Sequence, residues 1–116
     1  MQEIQIWHNP KCSKSRAAMD LLESKNIDAN VVKYLETTPS KEQLKDVLKK
    51  LNMKASELLR TGEDIYKELN LNQIEDENEL IDIMVKNPIL IERPIIIRGA
   101  NAVIARPIEN LSELLK

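Results

Sequence analysis

Between Trp7 and Ser13 the hydrophobic repeat changes from two residues to the helical spacing, and the single histidine and single cysteine of the chain, His8 and Cys12, fall inside that change. In the opening stretch Ile4 and Ile6 alternate with Glu3 and Gln5. That is the pattern of a short strand, and it ends at Asn9-Pro10, because proline cannot donate to a ladder. From Ser13 the residues Ala17, Ala18, Leu21 and Leu22 recur at helical spacing until SKNID breaks the run near residue 26. The β-branched run ANVVKYL then reads as a second strand. Strand, helix and strand within the first 35 residues make a βαβ unit, whose strands pair in parallel.

The middle of the chain is helical in pattern. Ser40 followed by Gln43 is a capping-box signature, after which Leu44, Val47, Leu48 and Leu51 share one helical face and read as core. Ser56 opens SELLR, Thr61 is placed to cap GEDIYKEL, and DENELIDIMVK carries Leu80, Ile81 and Met84 on one side until Asn87-Pro88. Residues 40–87 therefore form a helical insertion with no Gly- or Pro-rich linker to mark a second domain. Two β runs around RGAN follow as a hairpin, and Pro107 is placed as the first residue of a last helix with Ile108, Leu111, Leu114 and Leu115. This order predicts an α/β fold. It is a four-stranded mixed sheet of the thioredoxin-like kind with flanking helices and a helical insertion between the second and third strands. A chain of 116 residues is one domain in size, so residues 1–116 are expected to fold as one.

Composition narrows the partners. The formal charge of −2 provides no general attraction to nucleic acid or anionic membrane, so neither is expected to bind. The start MQEIQIW carries Glu3 and lacks the apolar run of a signal peptide, and PILI and PIII are too short to span a bilayer. A reducing, cytoplasmic location is expected. One cysteine forms no internal disulfide, and with one histidine it makes no zinc site of the usual Cys/His type; no metal and no bound cofactor are expected.

If the helix begins near residue 13, Cys12 sits at its N-terminus. Unpaired backbone N–H groups and the positive end of the helix dipole favour an anion there, which lowers the thiol pKa. Ser15 adds a hydroxyl one turn in, and Lys11, Lys14 and Arg16 add positive charge. The residue three past Cys12 is Ser15 and the residue six past it is Ala18, so neither a C-x-x-C dithiol nor a C-x5-R phosphate cradle is present. With no second cysteine to resolve an intermediate, turnover requires an external thiol such as glutathione or a partner protein.

The stretches HNPKCSKSR, YLETTPS, LLRTGED, NPILIERPI and ARP, in this order from residue 4 to about 115, resemble the glutaredoxin-coupled arsenate reductases of the thioredoxin superfamily. The resemblance implies that Cys12 attacks arsenate and that glutathione and glutaredoxin complete reduction to arsenite. It also implies that His8 and Ser15 assist the cysteine, that Arg60, Arg93 and Arg106 hold the oxyanion, and that Pro94 is cis. Guanidinium groups suit such an anion because they donate paired hydrogen bonds and keep their charge. Arg98, in the hairpin turn, is expected to be an ordinary solvated charge.

Two further functions share this architecture. The chain ends soon after Arg106, where some arsenate reductases of the family run on through a longer tail, so a general glutathione-linked thiol oxidoreductase is an alternative. Redox-sensing transcription regulators of the same fold act by binding RNA polymerase; those usually carry C-x-x-C, where this chain has Ser15.

Overall fold

The computed structural model describes residues 3–116; Met1 and Gln2, part of the expected single domain and of the stretch read as carrying no leader, lie outside them. Strand β1 spans Ile4–Trp7, helix α1 Ser13–Ser24 and strand β2 Asn30–Val32. Helices α2 (Lys41–Leu51), α3 (Ala55–Leu58), α4 (Asp64–Glu68) and α5 (Glu77–Lys86) follow, with 3-10 turns at Leu71–Gln73 and Pro88–Leu90. Strands β3 (Ile95–Arg98) and β4 (Asn101–Ile104) and helix α6 (Glu109–Leu114) complete the chain. Internal packing divides it into two units: residues up to Thr37 together with Arg93–Lys116, and Thr38–Glu92.

The first unit carries the sheet, in the order β2-β1-β3-β4. β1 and β2 run parallel, with Trp7 level with Val32; β1 and β3 run antiparallel, with Trp7 level with Ile95. The β3–β4 hairpin pairs Arg98 with Asn101 across Gly99 and Ala100, and Gly99 takes a positive φ of 58° that the turn requires. Ile4, Ile6 and Ile96 form one core with Ala18 and Leu22 of α1, Ala105, and Leu111 of α6. Ile6 and Ile96 face each other across the ladder with no exposed surface, and full burial of each contributes about 1.5–3 kcal/mol. The buried residues of α1 are Ser15, Ala18 and Leu22, whereas Ala17 is exposed. A serine therefore occupies the first turn of the apolar stripe.

The second unit is helical. Ser40 and Gln43 make both bonds of a capping box: Gln43 N–H donates to Ser40 Oγ at 3.1 Å, and Ser40 N–H to Gln43 Oε1 at 2.8 Å. Leu44, Val47 and Leu48 are buried on α2, and Leu80, Ile81 and Met84 on α5, against which α2 and α3 pack. Lys41 ties α2 to Asp82 of α5 at 3.0 Å. Among the described residues no helix is long and apolar enough to cross a membrane.

Four boundaries differ from expectation, each for a local reason. The second strand stops at Val32 instead of running through Leu35, because β1 ends at Trp7 and leaves no ladder partner; Glu36 and Thr37 N–H groups close a turn on the Lys33 carbonyl. The helix expected to open at Ser56 opens at Ala55, because Glu57 reaches back to accept from Lys54 N–H at the cap position, while the Ser56 amide and hydroxyl donate to Glu77. Thr61 does not cap the next helix; the chain first turns through Thr61 and Gly62, and Glu63 takes the cap position. Pro107 is not the first residue of the last helix, which starts at Glu109. The chain turns there, and the side chain of Asn110 holds that turn by donating to the Ile104 and Arg106 carbonyls.

Candidate active site

The segment from His8 to Ser15 is a knot of short-range hydrogen bonds that sets the cysteine at the start of α1. The Asn9 side-chain oxygen accepts from Lys11 N–H at 3.0 Å, and its carbonyl accepts from Cys12 N–H at 3.0 Å. Ser15 Oγ accepts from Asn9 N–H at 3.0 Å and lies 2.8 Å from His8 Nδ1. His8, Asn9 and Ser15 are all buried, so these bonds are sheltered from competing water. Burial, and then the charge of Lys33, hold His8 below the usual histidine pKa and thus favour the neutral ring.

Cys12 is the N-cap residue of α1, with extended backbone, and its thiol is partly exposed. Burial alone raises a thiol pKa, but here it is outweighed by the Ser15 backbone N–H, the Arg93 guanidinium and the Lys14 backbone N–H. The net shift is downward, toward thiolate. Arg106 Nη2 donates to Cys12 Sγ at 3.4 Å, and Arg106 Nε donates to the Arg93 carbonyl at 2.7 Å. One arginine thus touches the sulfur and braces the backbone of the other. Arg93 itself is buried, and lies beside both the sulfur and the Tyr34 phenol; burial disfavours its charge, but these two groups prevail and hold its pKa above the usual arginine value.

Of the site residues named from sequence, the first unit brings together Cys12, His8, Ser15, Arg93 and Arg106. Ser15 meets the sulfur through its amide, while its hydroxyl is engaged by His8 and Asn9. Arg60 belongs to the second unit, where it follows α3. Its Nη1 donates to Glu92 at 2.6 Å and its Nε to Glu63 at 3.4 Å, and its N–H donates to the Leu90 carbonyl at 2.7 Å. The Arg93-Pro94 bond is cis, as expected, and so is Arg106-Pro107. Arg98 is more than a solvated charge: its Nη1 donates to the carbonyls of Leu114 (2.9 Å) and Lys116 (3.2 Å), tying the hairpin to the end of α6.

Two further residues belong to the surroundings of the thiol. Asn9 does more than end the strand: its Asx-type turn organises the cysteine loop, and the Asn-Pro pair is its signal in the sequence. Tyr34, expected in the second strand, lies in the turn beyond it, fully buried, with its ring stacked on Trp7, centroids 6.4 Å apart. No local pattern marks that partnership.

A βαβ start and an antiparallel β3–β4 pair, with the cysteine at the N-terminus of the first helix, define a thioredoxin-like fold. A model of the ArsC family matches residues 7–114, and the chain belongs to that family. An arsenate reductase of Neisseria meningitidis is 45% identical over 117 residues, covering 99% of this chain and all of that protein. An arsenate reductase of Escherichia coli is 34% identical over 116 residues, covering 99% of this chain and 82% of that protein. The solved structure of an arsenate reductase from Vibrio cholerae superposes with a TM-score of 0.92 at 42% identity, covering 97% of each chain.

Proposed function

We propose that this protein reduces arsenate to arsenite with Cys12 as nucleophile and with glutathione and glutaredoxin as electron donors. The observation that carries the reading is the Cys12 sulfur beside two guanidinium groups, Arg106 at 3.4 Å and Arg93, in a chain of the ArsC family. A thiolate is the nucleophile; Arg93 favours it, and Arg93 and Arg106 together offset the charge of an incoming oxyanion. Arg60 is assigned to that oxyanion by the family resemblance.

Cys12 thiolate forms a bond to arsenic and one oxygen leaves as water. Glutathione thiol displaces a second oxygen, again as water. A glutaredoxin thiolate attacks the glutathione sulfur; the arsenic–sulfur bond to glutathione breaks, and its electron pair stays on arsenic, which becomes arsenic(III). The products of that step are a mixed disulfide and arsenite esterified to Cys12, and water releases the arsenite and regenerates the thiol. Neutral His8, bonded to Ser15, keeps the loop that presents the sulfur in place.

The test is turnover with arsenate, glutathione and glutaredoxin. Cys12→Ser is expected to abolish it, and Arg93→Ala or Arg106→Ala to lower kcat/KM by about 10²-fold or more, the scale for removing one oxyanion donor. Arg98→Ala, remote in role, is expected to leave turnover intact. Retained activity in Cys12→Ser removes the nucleophile. Activity on glutathionylated proteins with none on arsenate replaces the reading by a general thiol oxidoreductase.

A further inference from the structure

The sheet register brings a third residue to the sulfur's neighbourhood from an unexpected side. Trp7 is level with Val32 on the parallel neighbour and with Ile95 on the antiparallel one. Two residues further along, past the end of β1, the chain therefore carries Tyr34 on the β2 side and Arg93 on the β3 side. The strands that lead to them, β2 and β3, lie on either side of β1, and both residues have long side chains. Tyr34 has no exposed surface, Arg93 is buried, and the Tyr34 ring is pinned by its stack on Trp7, with planes 24° apart. Trp7 is itself fixed in the middle of the sheet, between Val32 and Ile95.

A buried guanidinium needs partners on more than one side to stay charged and still. Cys12 and the Tyr34 phenol both favour the charged form of Arg93. The sulfur changes during any thiol reaction, whereas the phenol does not. We propose that Tyr34 is a positioning residue: its phenol oxygen, held by the Trp7 stack, anchors the Arg93 guanidinium against Cys12 and so sets how readily the thiol ionises and how an oxyanion is met. This rests on the proposed function for the oxyanion, but not for the thiol.

The test is the rate of Cys12 alkylation by iodoacetamide against pH in Tyr34→Phe, which keeps the ring and the Trp7 stack and removes only the oxygen. The profile is expected to move to higher pH by as much as about one unit, a tenfold loss of thiolate where the thiol is mostly protonated. In an Arg93→Gln background the same substitution is expected to move it no further, because the anchor then has nothing to hold. An unmoved or lowered profile in Tyr34→Phe overturns the proposal, and so does an equal shift in both backgrounds. In the unsubstituted protein, NMR should find the Arg93 Nε proton protected from exchange; exchange as fast as that of free arginine also overturns it. Alkylation requires no arsenate, so this outcome is read separately from whether the protein reduces arsenate.

Discussion

Cys12 and His8 are both depressed in pKa, for opposite kinds of reason, and their consequences for stability run in the same direction. For Cys12, backbone N–H groups and Arg93 outweigh burial and favour the anion. Between its folded pKa and the ordinary thiol value near 9.0 the unfolded chain holds a proton that the folded chain has released. Stability therefore rises with pH across that interval; the contribution is complete above it and is lost as pH falls through the folded pKa. Cys12→Ser is expected to flatten this rise in urea-unfolding midpoints measured across the neutral-to-alkaline range. An unchanged slope would mean that the sulfur gains no charge stabilisation from the fold. His8 is depressed by burial and by Lys33, so the unfolded chain binds its proton first as pH falls below the ordinary value of 6.5, and acid weakens the fold there. At this scale the chemistry of the loop was legible, because N-cap position, adjacent basic residues and the absence of a second thiol are local facts. The placement of the Ser15 hydroxyl on His8 was not, since it depends on how the loop folds back.

The helices and strands owe their boundaries to groups that satisfy backbone ends. Ser40 at the start of α2 gave the clearest signal, and both capping-box bonds are present. Ser40→Ala is expected to lower stability by about 1 kcal/mol, read as a fall in the urea midpoint with an unchanged slope, whereas Ser40→Gly costs only a few tenths. A loss as large in the glycine variant as in the alanine one would point to something other than the cap. Asn26, Asn52 and Asn70 all adopt positive φ, and Asn52 ends α2 there. Asparagine tolerates that conformation better than other residues with a Cβ, so SKNID was readable as a helix stop. Thr61 and Pro107 misled because a capping residue or an N1 proline is only a preference, and the chain used turns at both places instead.

For the whole molecule, the sheet of the first unit depends on a few isoleucines with no exposed surface, while the second unit is a helical stretch packed on its own apolar faces. Ile96→Ala, at the centre of the sheet, is expected to cost about 2–5 kcal/mol in urea unfolding, against a marginal total for a chain of this size. A cost below about 1 kcal/mol would mean that the sheet relaxes around the gap. What the sequence by itself determined is whatever has a short period: the βαβ start, the hairpin at Gly99, the capped α2, and a lone thiol at a helix N-terminus. Each is set by neighbours within a turn or a strand pair. What only the tertiary structure decided is which distant side chains meet that thiol. Arg106 reaches Cys12 across 94 residues of chain, and Tyr34 comes to Arg93 from the other side of β1. Contacts of that span leave no periodic trace, because they are fixed by strand order and register, which exist only once the sheet has formed.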